Sequence, residues 1–348
     1  MLRRGLGLLC WACVLASSLV LIFASTVSAQ NYKVIRRIPV GGEGGWDYIK
    51  VDPDAHRLYV ARGDHLMIID EASGKTLGDI PNTKGIHGVA LATDLGKGFT
   101  SNGGAATVTV FDLKTLKVTG EIKTTGENPD SILYDPATKR VFTMNARSNN
   151  STVIDAATDK VVGTIDLGGK PEEPALDGRG NIFVNLTDSS KIVSFDTKTL
   201  AKKGGPWSLA PCDGPSALAA DTKNHLFFAA CDKMIAVFNP ESGKVVATPA
   251  IGGDPDGNGF DPGTGLIFAT VREGFVTVIH QDSADKYTVI GNVPTQFGAR
   301  TMALDTKTHH VFTETADYKA AGAPTPENPR PRPQAIPSTF VLIELGPQ

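Results

Sequence analysis

Residues 129–170 read Pro129-Asp-Ser-Ile-Leu-Tyr-Asp-Pro-Ala-Thr-Lys-Arg-Val-Phe-Thr-Met-Asn-Ala-Arg-Ser-Asn-Asn-Ser-Thr-Val-Ile-Asp-Ala-Ala-Thr-Asp-Lys-Val-Val-Gly-Thr-Ile-Asp-Leu-Gly-Gly-Lys170. Four short runs of apolar and β-branched residues lie in this stretch, beginning at Ser131, Val141, Thr152 and Val161, and turn-forming pairs and triplets separate them. Runs of this length bounded by Asp-Pro, Asn-Asn-Ser and Gly-Gly predict four strands joined by tight turns.

The same unit recurs along the chain. One marker closes the leading strand of each unit, at Asp52, Asp94, Asp135, Asp177, Asp221, Asp261 and Asp305. A second closes the third strand, at Asp70, Asp112, Asp155, Asp196, Asn239, His280 and Glu344, and successive second markers lie 42, 43, 41, 43, 41 and 64 residues apart. Aromatic-containing triplets such as Leu58-Tyr-Val60, Val141-Phe-Thr143 and Val311-Phe-Thr313 mark each second strand, where bulky rings would fill the wedge between neighbouring units. A four-strand unit of about 40–45 residues is a β-propeller blade. Seven of them predict an all-β, seven-bladed propeller occupying residues 30–348 as one domain, with blades beginning near residues 46, 87, 129, 171, 215, 255 and 299.

The ends of the chain complement each other. Val34-Ile-Arg-Arg-Ile-Pro-Val-Gly-Gly42 matches the fourth strand of the third unit, whereas Phe340-Val-Leu-Ile-Glu344 is a third strand with no fourth after it. The N-terminal strand is therefore expected to complete blade seven, hiding two edges that would otherwise be open.

The triplets, the Val-Ile-Asp ends of third strands and the Ile-Asp-Leu-Gly-Gly-Lys-Pro turn resemble the YVTN-repeat (YncE-like) family of exported seven-bladed propellers, over essentially the whole chain after its first 29 residues. The resemblance implies a binding or surface protein, and one member of that family is associated with single-stranded DNA. This chain keeps the family's Asn at the end of the second strand as Asn102 and Asn145 and departs from it in other blades. In that family the entries to the innermost strands and the loops between second and third strands share one face. Arg62, Arg147, Arg272, Cys212 and Cys231 would then gather at one mouth of the central channel.

Arg3 and Arg4, an apolar run from Leu6 to Phe23 and the small-residue ending Val27-Ser-Ala29 predict a signal peptide over residues 1–29. Export to the periplasm or the cell exterior follows, with no membrane span after cleavage; a retained anchor is the alternative. Cys10 and Cys13 fall within this leader, leaving Cys212 and Cys231 either to pair as a disulfide in an oxidising compartment or to lie buried as thiols. The chain carries 34 basic and 37 acidic residues, and loss of Arg3 and Arg4 makes it still more acidic. That balance argues against a polyanion-seeking protein and makes single-stranded DNA a minor expectation.

The long final interval reflects an insertion over residues 316–337 that contains Pro324, Pro326, Pro329, Pro331, Pro333 and Pro337. So many prolines predict an extended, polyproline-like loop rather than added sheet, serving either as a surface excursion or as a docking arm.

Repetition also sorts the polar residues. The marker Asp residues recur and read as turn formers. Five positions before each first marker, or before Ala92 in blade two, the chain has Asp47, His87, Asp130, Glu172, Ser216, Asp256 and Arg300. This uneven ring should face the channel mouth, with Trp46 beside it able to stack on a ligand. It admits three readings. One is a hydrated channel of paired charges. A second is a cation site, the only cofactor reading, in which Asp47, Asp130, Glu172 and Asp256 suit calcium or magnesium and His87 would shift the choice toward zinc or manganese. The third is a lactone-type hydrolase with His87 as general base between Asp47 and Asp130, and Arg300 stabilising an oxyanion. The chain has no nucleophile elbow and no HExxH motif. The expected function is therefore binding of a ligand or protein partner at the charged mouth, with a metal-assisted hydrolase as the alternative. His309-His310 is expected to lie solvated in a turn, and the glycine-rich stretch at residues 41–45 lacks the following helix a phosphate loop requires.

Overall fold

Asp135 turns the chain after the first strand of blade three: Oδ1 accepts the N–H of Ala137 at 3.0 Å and Oδ2 the hydroxyl of Thr138 at 2.7 Å. Lys139 then adopts a left-handed φ of 55°, and the chain reverses into the second strand. Asp155 repeats the device at the next turn but one, accepting the Thr158 N–H at 2.8 Å, with Asp159 at φ 58°. Short polar side chains that bind their own backbone two and three residues on make such reversals local. The strands that result are Pro129–Asp135, Arg140–Asn145, Asn150–Asp155 and Lys160–Asp166, antiparallel and hydrogen-bonded in sequence order.

The computed structural model describes residues 32–323, 325 and 331–348. Within it, seven four-stranded antiparallel sheets repeat this unit. The first and innermost strands are Ile49–Asp52, Ile86–Ala92, Pro129–Asp135, Pro171–Leu176, Ala217–Asp221, Pro255–Asp261 and Met302–Asp305. The protein is a seven-bladed β-propeller. Among the described residues no helix is long and apolar enough to cross a membrane. The leader reading, with Cys10 and Cys13, lies outside the described residues.

Second-strand rings fill the wedges as expected. Phe99, Phe142, Phe227, Phe268 and Phe312 have no exposed surface. Their clusters cross from blade to blade: Phe142 of blade three packs 5.7 Å from Phe195 of blade four, in one buried cluster with Val153 and Ile182. Burial of one such side chain stabilises the fold by roughly 1.5–3 kcal/mol, so the inter-blade wedges help hold the ring together.

Lys33–Pro39 closes the ring as the outermost strand of blade seven, antiparallel to Val341–Gly346, with Arg36 opposite Glu344 and Ile38 opposite Leu342. Ile38 is buried in the cluster that also contains Phe312, Ile49 and Leu58, so the N-terminal strand seals the joint between blades seven and one.

The insertion differs from the extended loop expected. Tyr318–Lys319 pairs with Gln334–Ala335 as a short antiparallel ladder, so the base of the insertion is a hairpin despite its prolines. Pro324, Pro326 and Pro329 lie outside the described residues. Physical support comes from the sides: the N–H of Ser338 donates to Gly42 O at 2.9 Å, and Gln296 donates to Ala316 O at 3.2 Å. Tyr318 also packs against Trp46 and Phe297, which anchors the hairpin beside the mouth.

Candidate functional site

In four blades the innermost strand loses register with its neighbour near its start. The shift falls between Ile86 and Gly88, between Pro129 and Ile132, between Pro171 and Pro174, and between Pro255 and Gly257. The residues set free from pairing are His87, Asp130 with Ser131, Glu172 with Glu173, and Asp256. A bulge of this kind re-aims a side chain and releases its backbone from the ladder. The four ring positions therefore owe their orientation to bulges, whereas Asp47, Ser216 and Arg300 lie just ahead of the regular strands.

Three consecutive blades bring their side chains together. Nδ1 of His87 lies 2.6 Å from Oδ2 of Asp47 and 3.6 Å from Oδ1 of Asp130, and Nε2 lies 3.4 Å from Oδ1 of Asn128. One ligand atom from each of Asp47, His87 and Asp130 falls within 4.8 Å of the others. Gly103 makes room for this arrangement, since a β-carbon there would stand 2.6 Å from both His87 Nε2 and Asn128 Oδ1. The hydrogen bond from Tyr48 N–H to His87 O, 3.0 Å long, stitches blade one to blade two beside Asp47 and His87.

The rest of the ring is paired more locally. Arg300 lies 2.7 Å from Asp256, and Lys170 lies 2.9 Å from Glu172. Ser216 is turned away from any ligand role, donating to Pro255 O at 2.7 Å across the joint to blade six. Arg272 is occupied with Asp254 at the rim, and Arg147 is exposed.

Arg62 departs from the expected place at the mouth surface. It is 1% exposed, with its guanidinium 3.9 Å from the centre of the Phe340 ring and 6.0 Å from that of Trp46. Nη2 donates to Glu43 O at 3.0 Å. Stacking on an aromatic face suits a guanidinium withdrawn from water. Trp46 is the lid over this arginine, packed 5.3 Å from Phe340, rather than an open stacking platform.

The electrostatics of the mouth follow from burial among like charges. Burial works against the charge on His87, but the hydrogen bond it donates to Asp47 and the charges of Asp130 and Asp47 outweigh it and raise the imidazole to about 9. Burial pushes Asp130 up to about 7; His87 opposes the rise, while Glu172 and Asp47 add to it. Asp256 is likewise pushed up to about 7 by burial, against the pull of Arg300, with Asp47 and Glu172 contributing. The ring thus holds more carboxyl groups than its cations neutralise.

Below the ring the channel opens into a cavity of about 480 Å³, lined by Tyr48, Glu173, Asn258 and Met302 among others. Glu173 is raised by burial to about 8, although its carboxylate accepts the Leu218 N–H at 3.1 Å. Counting back from the markers missed this residue, because a period-two strand cannot send 172 and 173 to one side and only the bulge does so. Pro171 and Pro174, neither able to donate to a ladder, were the available signal for that bulge. Glu314 was missed too: it has no exposed surface, accepts the Thr301 hydroxyl at 3.2 Å, and is raised well above the ordinary range by burial. It stands where Ala61, Met144 and Ala229 stand in other blades, and that exception was visible in the sequence.

Cys212 and Cys231 form a disulfide, with Cα atoms 5.6 Å apart, that ties the approach to blade five to the end of its second strand. His309 and His310 are both engaged with carboxylates, 2.7 Å from Asp261 and 2.7 Å from Glu344, instead of lying free in solvent. Asn102 and Asn145 are buried, each amide donating to a third-strand threonine, Thr109 and Thr152, at 2.9 Å.

No protein-family model and no curated protein sequence matches the chain. Solved structures do. The WD40 repeats of RRP9 superpose with a TM-score of 0.72 at 10% identity, over 92% of this chain and 99% of that one. The U3-55K structure gives 0.70 at 11% identity, over 92% and 99%. A chain of hydrazine synthase from Kuenenia stuttgartiensis gives 0.66 at 17% identity, over 77% and 92%. The likeness is one of fold. A β-propeller is consistent with a binding scaffold, and its specificity must be argued from the side chains at the mouth.

Proposed function

We propose that the protein is an exported binding scaffold whose recognition surface is the charged mouth of the channel, and that the mouth takes a cationic ligand. The observation that carries this reading is the convergence of Asp47, His87 and Asp130 from three consecutive blades, with ligand atoms within 4.8 Å. Carboxyl groups raised to about 7 at Asp130 and Asp256 support it, because a bound cation relieves the repulsion and burial that raise them. A divalent metal ion is the smallest ligand of this class, and an alkylammonium group is the organic counterpart. The leader-like first 29 residues and the disulfide support export to the periplasm or the cell exterior.

A protein partner presenting a lysine or arginine would meet the same requirement, and the Tyr318 hairpin beside Trp46 gives such a partner a second contact. The hydrolase alternative is weaker on chemical grounds. An imidazole raised to about 9 is protonated near neutral pH, so a metal ion enters only by displacing that proton, and without the ion His87 has no lone pair to serve as general base. Single-stranded DNA fits less well still, since the mouth presents more carboxylates than cations.

The reading is tested by a thermal-unfolding screen against calcium, manganese and zinc chlorides and putrescine, run on the wild type and on Asp47→Asn/Asp130→Asn. At least one cation should raise the wild-type midpoint at a concentration where the variant does not respond. Equal responses across the panel would contradict a site at the mouth.

A further inference from the structure

A second cluster of ligating groups lies away from the mouth, at the outer joint where the ring closes. Glu71 follows the third strand of blade one, His56 sits in the first turn of the same blade, and His310 and Glu344 belong to blade seven. One ligand atom from each of Glu71, His310 and Glu344 falls within 4.8 Å of the others. Nδ1 of His310 lies 2.7 Å from Oε1 of Glu344. Oε2 of Glu71 is buried without a hydrogen bond, although the residue is only 8% exposed, and the nearest cationic candidate is Nδ1 of His56 at 3.6 Å. The cluster borders a surface cavity of about 370 Å³.

Arg36 accounts for part of this charge. Its Nε lies 2.7 Å from Oε2 of Glu344 and its Nη1 donates to Ala72 O at 2.6 Å, while Nη2 reaches the carbonyl, not the carboxylate, of Glu71. The Glu71 carboxylate is thus left facing His310 and Glu344 with no donor of its own. A buried carboxylate oxygen without a partner is costly, and the orphan oxygen points to a guest that satisfies it.

We infer that Glu71, His310 and Glu344 form a binding site for a divalent transition metal of the zinc class, with His56 beside Glu71 at its edge, and that the bound ion staples blade seven to blade one. Two carboxylate oxygens with one or two imidazole nitrogens are a borderline donor set that favours zinc, cobalt or nickel over calcium and magnesium, which prefer oxygen alone. The ion takes the place of the proton between His310 and Glu344 and gives Glu71 its missing partner. Because His310 and Glu344 lie in the sheet completed by the N-terminal strand, metal binding and ring closure are coupled: an ion that binds only the closed ring stabilises it by mass action.

The site is independent of the mouth, so the test is run with the mouth disabled. Chelator-treated wild type and Asp47→Asn/Asp130→Asn, together with Glu71→Gln and His56→Ala each made in that mouth variant, are titrated with zinc chloride by calorimetry and followed by thermal unfolding. Wild type and the mouth variant should each bind zinc at the joint and show a rise in midpoint. Glu71→Gln should weaken that binding at least tenfold and lose the rise, while its metal-free midpoint stays at or above that of the mouth variant, because a neutral isostere replaces an unpartnered buried carboxylate. His56 has an exposed side chain, so His56→Ala keeps the fold and should weaken zinc severalfold. Zinc affinity unchanged from that of the mouth variant when Glu71→Gln or His56→Ala is added to it, or no zinc bound by the mouth variant itself, would overturn the inference.

Discussion

Nδ1 of His87 lies 2.6 Å from Oδ2 of Asp47, and the two residues come from adjacent blades 40 positions apart in the chain. The pair is therefore a tertiary contact that exists only in the assembled ring. It is also the strongest single interaction acting to keep His87 charged, with Asp130 3.6 Å away on the other side. Asp47→Asn removes both the charge and the charge-assisted bond. The His87 imidazole, raised to about 9 in the wild type, should then titrate at a distinctly lower pH. Histidine chemical shifts followed by NMR across pH 5–10 check this, and an unchanged titration would mean that Asp47 does not control the imidazole.

The closing strand offers a test of architecture. Lys33–Pro39 supplies the whole outer edge of blade seven and buries Ile38 against Leu342 and Phe312. Deleting residues 31–40 removes that ladder and about 1.5–3 kcal/mol of apolar burial from Ile38 alone. The unfolding midpoint should fall sharply, and Ile38→Ala should reproduce part of the fall. An unchanged midpoint on deletion would be incompatible with closure by this strand.

Glu173 makes the fold sensitive to pH in a defined direction. Its folded-state pKa of about 8 lies above the ordinary 4.5, so the protonated form is the one the folded channel favours. The stability it contributes is fully present below about pH 4.5 and is lost as pH rises through about 8. Glu314 is raised in the same direction. Glu173→Gln keeps an acceptor for the Leu218 N–H and removes the ionisation, so the midpoint of this variant should decline less than that of the wild type between pH 5 and pH 8. Parallel pH profiles would show that Glu173 does not titrate in this window.

The disulfide between Cys212 and Cys231 spans 19 residues. Cross-links closing loops of that size restrict the unfolded chain by about 3 kcal/mol. Cys212→Ala/Cys231→Ala should lower stability by that order in denaturant titration, with cation binding at the mouth unaffected because neither sulfur touches the ring. A change under about 0.5 kcal/mol would mean that the bridge contributes little beyond covalency.

The blade repeat was legible because it rests on local chemistry. Asp135, Asp155 and their counterparts bind backbone N–H groups two and three residues on, and Phe142 and its counterparts fill the same wedge in each blade. The ring positions were legible for the same reason, since a repeat turns counting into geometry. What the repeat could not carry were the exceptions. Glu173 enters the channel through a bulge that breaks the period-two rule, and Arg62 folds inward onto Phe340, a residue nearly 280 positions away. His310 pairs with Glu344 across strands separated by the insertion. The contacts of Arg62 and His310 depend on non-local neighbours, and no spacing along the chain encodes those; the bulge at Glu173 is local, and its signal lay in Pro171 and Pro174 rather than in the repeat.

The central claim is that the mouth, through Asp47, His87 and Asp130, recognises a cation. It is tested most directly by calorimetric titration of wild type and Asp130→Asn, both on a Glu71→Gln background, with the cation that most raises the wild-type midpoint. Loss of one ligating carboxylate should weaken binding at least tenfold while the metal-free unfolding curve changes little. Equal affinities in the two proteins would contradict the account.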